Sequence, residues 1–268
     1  MLDILNAATY EFFADYSIIP EEGKYFNPNI LEKNNIIFCK TDHINYLFNN
    51  LYDSKNEYVL ITHHSDYPID YNRFSTKPQC IKKWFAQNGI YDNQILEPIP
   101  IGLKTDKGIF VEKNNNGEIL YDIEWFNEKK EILKNNNKKE TFYCNWNITN
   151  SNRNNIINVI SHLNLTIESN LSYKNYIINM SKCKYVISPP GNGIDCHRTW
   201  EALYLGCIPI VIKHNLYDNW NDLPILQVND YNEITNEILE NFSKKEFNYE
   251  KLTPTYWEQK IKSNINND

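Results

Sequence analysis

Residues Lys184 to Lys213 read KYVISPPGNGIDCHRTWEALYLGCIPIVIK. A β-rich run ends at Ser188, a Pro-Pro-Gly-Asn-Gly loop follows, and helical character begins near His197 before Gly206 and a second apolar run, Ile208 to Ile212, stop it. That order of strand, glycine loop, helix and strand places backbone N–H groups and a helix N-terminus at the carboxyl edge of a sheet, where a phosphate is stabilised. The loop is not a dinucleotide fingerprint. After Gly191 and Gly193 the third glycine position holds Cys196, and the next strand ends at Lys213 rather than at an acidic residue for a nicotinamide ribose. Both departures count against an NAD-dependent oxidoreductase. Within the helix, Arg198 and Glu201 are three residues apart and share a face. A guanidinium there can neutralise a diphosphate, and a carboxylate one turn later can accept from both hydroxyls of a ribose. The alternative for the same two residues is a surface ion pair worth about 0.3–0.5 kcal/mol.

Outward from this segment, short apolar runs alternate with helical stretches, the pattern of an α/β architecture. In the first half strands are expected at Ile36 to Cys39, Tyr58 to Thr62, Lys83 to Ala86 and Ile95 to Ile101, with a helix between Asp42 and Leu51. The text from Thr105 to Glu140 is polar and reads as a surface excursion followed by an interdomain linker. A second series has strands at Thr141 to Trp146, Leu165 to Glu168, Tyr185 to Ser188, Ile208 to Ile212 and Ile225 to Val228. Helices are expected at Asn152 to Leu163, Tyr173 to Ser181, His197 to Leu205 and Tyr231 to Phe242. Two such series predict two Rossmann-like domains facing a cleft, residues 1–138 and 139–250. A last segment, 251–268, starts a helix at Pro254 and is expected to pack back on the first domain.

Composition narrows the function classes. The 268 residues carry a net charge of −7 without a dense Lys/Arg face, so binding through phosphate neutralisation of nucleic acid is not expected. Met1 to Ser17 has no basic start with an apolar core, and runs such as Cys207 to Ile212 fall short of the roughly 20 residues that span a bilayer. No membrane span and a cytoplasmic location follow as expectations. The six cysteines, at positions 39, 80, 144, 183, 196 and 207, show no zinc spacing and read as buried reduced thiols. Asparagine is the outlier at 42 residues. Its excess produces five Asn-x-Ser/Thr sequons, close to the number chance gives, so they are no sign of secretion.

The string SPPGNGIDCHRTWEALYLGCIPIV resembles the donor-site motif of exostosin-like glycosyltransferases, especially short forms found in algae, their large viruses and some microbes. LITHHSD at Leu60 to Asp66, KWFAQN at Lys83 to Asn88, PIPIG at Pro98 to Gly102, FYCNWNIT at Phe142 to Thr149 and LTPTYW at Leu252 to Trp257 resemble the same family, in order. The resemblance implies a GT-B fold whose second domain holds a nucleotide-sugar. Arg198 would face the diphosphate and Glu201 the ribose, while Gly191, Asn192 and Gly193 let the backbone approach the nucleotide. His197, Thr149 and Arg153 are further donor-site candidates. The Trp-His-Gly stretch common in the family after the PIPIG segment is missing from Leu103 to Gly108.

Glycosyl transfer needs a base for the acceptor hydroxyl and a counter-charge for the departing nucleoside diphosphate. No Asp-x-Asp occurs, Asp122-Ile-Glu124 being the nearest approach, so a metal-independent enzyme with no cofactor is expected, using Arg198 and backbone amides. The candidate bases follow the strand Tyr58 to Thr62: Asp66 first, His64 second, and His63. The reaction the resemblance implies is transfer from a UDP-sugar onto a glycan or glycoprotein acceptor, with inversion favoured over retention and xylose placed before galactose, glucuronic acid and N-acetylglucosamine. The competing class is a nucleotide-sugar-binding module without turnover. Trp84, Phe85, Trp146, Tyr256 and Trp257 are candidates for sugar stacking or for the core.

Overall fold

The structure, a computed structural model, describes residues 3–105, 121–145, 156, 160–163, 165, 168 and 171–265. The chain forms two compact units, Met1–Val111 with Thr253–Asp268, and Glu112–Leu252. Both are built on parallel sheets with helices.

The first sheet contains β1 (Tyr16–Ile18), β2 (Ile36–Lys40), β3 (Tyr58–His63), β4 (Ile81–Ala86) and β5 (Leu96–Pro98), all parallel and ordered as in the chain. All six residues of β3 are buried, because a parallel sheet is covered on both faces. Alternation divides the side chains. Ile37, Cys39, Leu60, Trp84 and Ala86 face one core, and Ile36, Phe38, Val59, Ile61 and Phe85 face the other. A sequential strand order with right-handed crossovers sends the connecting helices to one face. There α2 (Ile44–Leu51) packs Leu47, Phe48 and Leu51, and Phe74 of α3 (Tyr71–Ser75) stacks on Trp84. The opposite face is closed from the two ends of the chain. Tyr10 of α1 (Ala7–Phe12) meets Trp257 and Ile261 of the C-terminal helix Pro254–Lys262. Thr253 caps that helix by accepting from the Tyr256 N–H, and Pro254 sits at its first position, where no N–H is needed.

The second sheet is β6 (Glu140–Tyr143), β7 (Cys183–Ile187), β8 (Ile208–Ile212) and β9 (Leu226–Val228), again parallel and in chain order. Past β6, Asn145 makes an isolated parallel bridge with Glu168, within the strand expected at 165–168. The polar stretch read as excursion and linker contains α4 (Ile123–Lys134), which belongs to the second unit. Its Phe126 meets the Tyr204 ring edge-on at 6.3 Å, so the boundary expected at 138/139 falls before this helix. Asp122, half of the nearest approach to Asp-x-Asp, is the N-cap of α4. It accepts from the Trp125 N–H at 2.9 Å and pairs with Lys174 at 2.8 Å. Among the described residues the second unit also contains α5 (Tyr173–Ser181), α6 (His197–Tyr204), α7 (Asn215–Asp218) and α8 (Asn236–Ser243).

Candidate functional site

The loop from Ser188 to Cys196 leaves the carboxyl end of β7 and enters α6. Its frame is held from several sides. The Ser188 N–H extends the ladder to Ile210 O at 2.9 Å, and its hydroxyl meets Thr199 Oγ1 at 2.9 Å. Tyr217 donates to Ile194 O at 3.1 Å. Asp195 is buried and accepts from two donors, the Cys196 N–H at 2.9 Å and Trp200 Nε1, which reaches both carboxylate oxygens at 2.9 and 2.8 Å. Trp200 is wedged edge-on against Trp220, with ring centroids 5.0 Å apart. On this frame Gly191 is half-buried, Asn192 exposed and Gly193 buried, while His197 is the half-buried first residue of α6. The N-cap of α6 is Cys196, whose side chain makes no capping bond. Asp195 was not singled out by sequence reasoning. The signal was an Asp directly before a helix start with Trp five residues on.

Arg198 and Glu201 share a face of α6, on which Arg198 is half-buried and Glu201 buried. Glu201 is 3% exposed, and its Oε2 accepts from the Tyr176 hydroxyl at 2.7 Å. Burial, together with the Glu201 carboxylate, pushes the Tyr176 phenol far above its ordinary range, so it stays a neutral donor. Glu201 therefore already holds a protein hydroxyl with one of the oxygens expected to receive a ribose. Arg198 differs. Its Nε is buried with no hydrogen-bond partner among the described residues, and its Nη1 comes only to 3.9 Å of Cys196 Sγ. Burial works against its charge, but the electrostatics of the surrounding groups, the Glu201 carboxylate among them, outweigh that and hold its pKa above the ordinary value. A charged guanidinium with an unmatched buried N–H favours an acceptor of opposite charge. Thr149 and Arg153 lie outside the described residues, as does Trp146.

In the first unit, β3 ends in His63, 1% exposed. Its Nδ1 accepts from the His64 N–H at 2.9 Å, and its Nε2 lies 3.2 Å from Pro100 O. An accepting Nδ1 and an Nε2 facing a carbonyl define the neutral tautomer protonated at Nε2. Both ring nitrogens are thus engaged with backbone groups, which ties the His63 ring into the strand end. His64 is half-buried, with φ 64°, a conformation uncommon for a residue of its size. Burial, then His63 and Lys40, push its imidazole down to about 3 against the opposing Asp42 and Glu21. The ring is neutral near pH 7 and weakly basic. Asp66 is exposed.

Two polar residues at the end of β4 join this loop. The Gln87 carboxamide accepts from the His64 N–H at 2.9 Å and donates to Ser65 O at 2.9 Å, while Asn88, φ 53°, donates to the same carbonyl at 3.4 Å. Their signal in sequence was a Gln-Asn pair closing an otherwise apolar run. Of the aromatic candidates, Trp84 and Phe85 are fully buried on opposite faces of the sheet and Trp257 is in the core, while Tyr256 is partly buried. All six cysteines are unpaired. Five are buried, and Cys196 is half-buried where a buried thiol was expected. Among the described residues no helix is long and apolar enough to cross a membrane.

No protein-family model matches the sequence. Comparison with curated proteins gives no match either.

Proposed function

We propose that the chain is a glycosyltransferase of GT-B architecture, which transfers a sugar from a UDP-sugar to a carbohydrate acceptor by an inverting, metal-independent reaction. The observation that carries this reading is Arg198: a half-buried, charged guanidinium whose buried Nε is unmatched, on the first turn of a helix that follows a glycine loop at a sheet's carboxyl edge. A diphosphate supplies the acceptors this group lacks, and the helix N-terminus adds partial positive charge. In the transition state the same groups stabilise the leaving nucleoside diphosphate. Gly191 and Gly193 let the nucleotide approach the backbone, and Glu201, which accepts from Tyr176, steadies the site.

The test is a thermal-shift panel of UDP, GDP and NAD, since a ligand that binds only the folded state raises stability by mass action. UDP should raise the melting temperature; a response to NAD alone would end the reading. Turnover is then measured with UDP-xylose, UDP-galactose, UDP-glucuronic acid and UDP-N-acetylglucosamine, with and without a chelator. Activity lost in chelator and restored by manganese would refute metal independence.

A nucleotide-sugar-binding module is the second reading, and the first unit favours it. His63 has both nitrogens engaged, His64 is weakly basic and Asp66 is exposed, so the three expected bases do not converge on one proton-accepting group. UDP binding without turnover of any UDP-sugar would select this reading.

A further inference from the structure

Among the described residues three non-glycine positions have positive φ: Asn34, His64 and Asn88. Two of them lie just past neighbouring strand ends: His64 directly follows β3, and Asn88 is two residues past the end of β4. Asn adopts this region readily, whereas a bulkier residue does so at a cost that the surrounding structure must overcome.

At His64 the surroundings do so through an interlocked set of bonds. Its N–H is shared between His63 Nδ1 and Gln87 Oε1, both at 2.9 Å. Gln87 is 2% exposed; its backbone N–H bonds Thr62 O at 2.9 Å, and its carboxamide N–H grips Ser65 O beyond His64. From the other side, Ser65 donates to Asp42 at 2.9 Å and Thr41 to His63 O at 3.2 Å. The ends of β2 and β4 thus clamp the residues on both sides of His64. A Gly or Asn at 64 would accept the same φ more easily, so the conformation alone does not call for an imidazole.

We infer that Gln87 is a positioning residue, which holds His64 in the left-handed conformation and so presents its imidazole to the acceptor hydroxyl. This rests on the transferase reading above. The groups around the ring are His63 and Phe38 from β3 and β2, Lys40 and Asp42 at the end of β2, and Glu21 after β1. In that setting the imidazole is neutral, and it acts as a hydrogen-bond partner that orients the hydroxyl.

The experiment is a double-mutant cycle of His64→Gly, which keeps the backbone conformation and removes the ring, and Gln87→Met, which removes both clamp bonds at similar length. Transfer from the active UDP-sugar, the shift in melting temperature with UDP, and the backbone NMR shifts of residue 64 are measured on each variant. His64→Gly should lower kcat by about 100-fold, and Gln87→Met by about 10-fold with KM for the UDP-sugar unchanged. The double variant should be no slower than His64→Gly alone. Equal losses from Gln87→Met with and without His64, or no loss at all, would overturn the inference. Should Gln87→Met not fold, Gln87→Glu keeps an acceptor for the His64 N–H but replaces the donor to Ser65 O by a charged oxygen, so the Ser65 half of the clamp is lost, and the same cycle is measured on it. Wild-type protein that binds UDP but transfers no sugar would refute the transferase reading and, with it, presentation to an acceptor. The clamp would then be judged by NMR alone, where residue 64 keeping left-handed shifts in Gln87→Met would overturn it as well.

Discussion

The two sheets end differently at their carboxyl edges. In the first unit the polar groups at the strand ends are engaged with one another: His63 with Pro100 O, His64 with Gln87, Ser65 with Asp42, and Gln87 with Ser65. In the second, the frame of the loop is just as tightly bonded through Asp195, Ser188 and Tyr217, but the Arg198 guanidinium is left with an unmatched buried N–H. A buried polar group without a partner carries a desolvation penalty that a bonded one does not. Under the proposed function, the second edge is the one that an anion would complete. Substitutions that damage a frame should cost stability, whereas substitution of the group awaiting a ligand should not.

The largest effect is expected at Asp195. Asp195→Ala removes a buried carboxylate that accepts from the Cys196 N–H and strands Trp200 Nε1 in the core, which should cost about 3 kcal/mol. A lower urea midpoint at unchanged slope would show it, and a loss under about 1 kcal/mol would mean the loop frame is looser than its bonds imply.

Lys138 should come next. Its ammonium bonds Leu205 O at 2.8 Å and Ser181 O at 3.1 Å, so it ties the carboxyl ends of α5 and α6, the helices that carry Tyr176 and Arg198. Lys138→Met leaves those carbonyls without the charge and should cost about 1–2 kcal/mol, measured in the same way.

The first unit offers a smaller, two-part test at His64. Both His64→Gly and His64→Ala lose the ring, but only Ala retains the strain of φ 64°, so the Gly variant should be the more stable by about 1 kcal/mol. Equal stabilities would remove the strain from the account. Acid stability gives the other part. The imidazole has a lower pKa folded, about 3, than unfolded, about 6.5, so the unfolded state binds the extra proton between those values. Stability should therefore fall as pH drops through that window, and His64→Gln should flatten the decline. An unchanged slope in a urea series from pH 6.5 to 4 would contradict the buried neutral ring.

Much of the fold is legible in the sequence because local pattern and tertiary environment agree. The helix read at Tyr173 to Ser181 and the strand read at Ile208 to Ile212 appear with those bounds. Disagreements have local causes. β1 is three residues long, too short for alternation to register. Pro98 and Pro100 lack N–H groups, and the strand expected from Ile95 to Ile101 shrinks to Leu96–Pro98. In α4 Glu and Lys fill the outer surface, and only Ile123, Phe126, Leu133 and the Lys130 stem face inward, so a polar text concealed a helix. The helix expected from Tyr231 to Phe242 is interrupted because Thr235 caps α8, accepting from the Ile238 N–H, after a short turn at Tyr231–Glu233. In the site, Arg198 could be picked out because motif and helix spacing are local. Gln87 could not, since its partner His64 is 23 residues away, and only the parallel pairing of β3 with β4 brings them together.

The central claim is that Arg198 is there for an anion and not for the fold. Melting of the wild type and of Arg198→Met, each with and without UDP, tests it directly. Without UDP, the variant should melt no lower than the wild type, because it loses a half-buried charge whose Nε is buried and unmatched. With UDP at about 100 times its Kd, the wild type should gain close to 3 kcal/mol and the variant little or none. Equal stabilisation of both proteins by UDP, or a variant that no longer folds, would contradict the account.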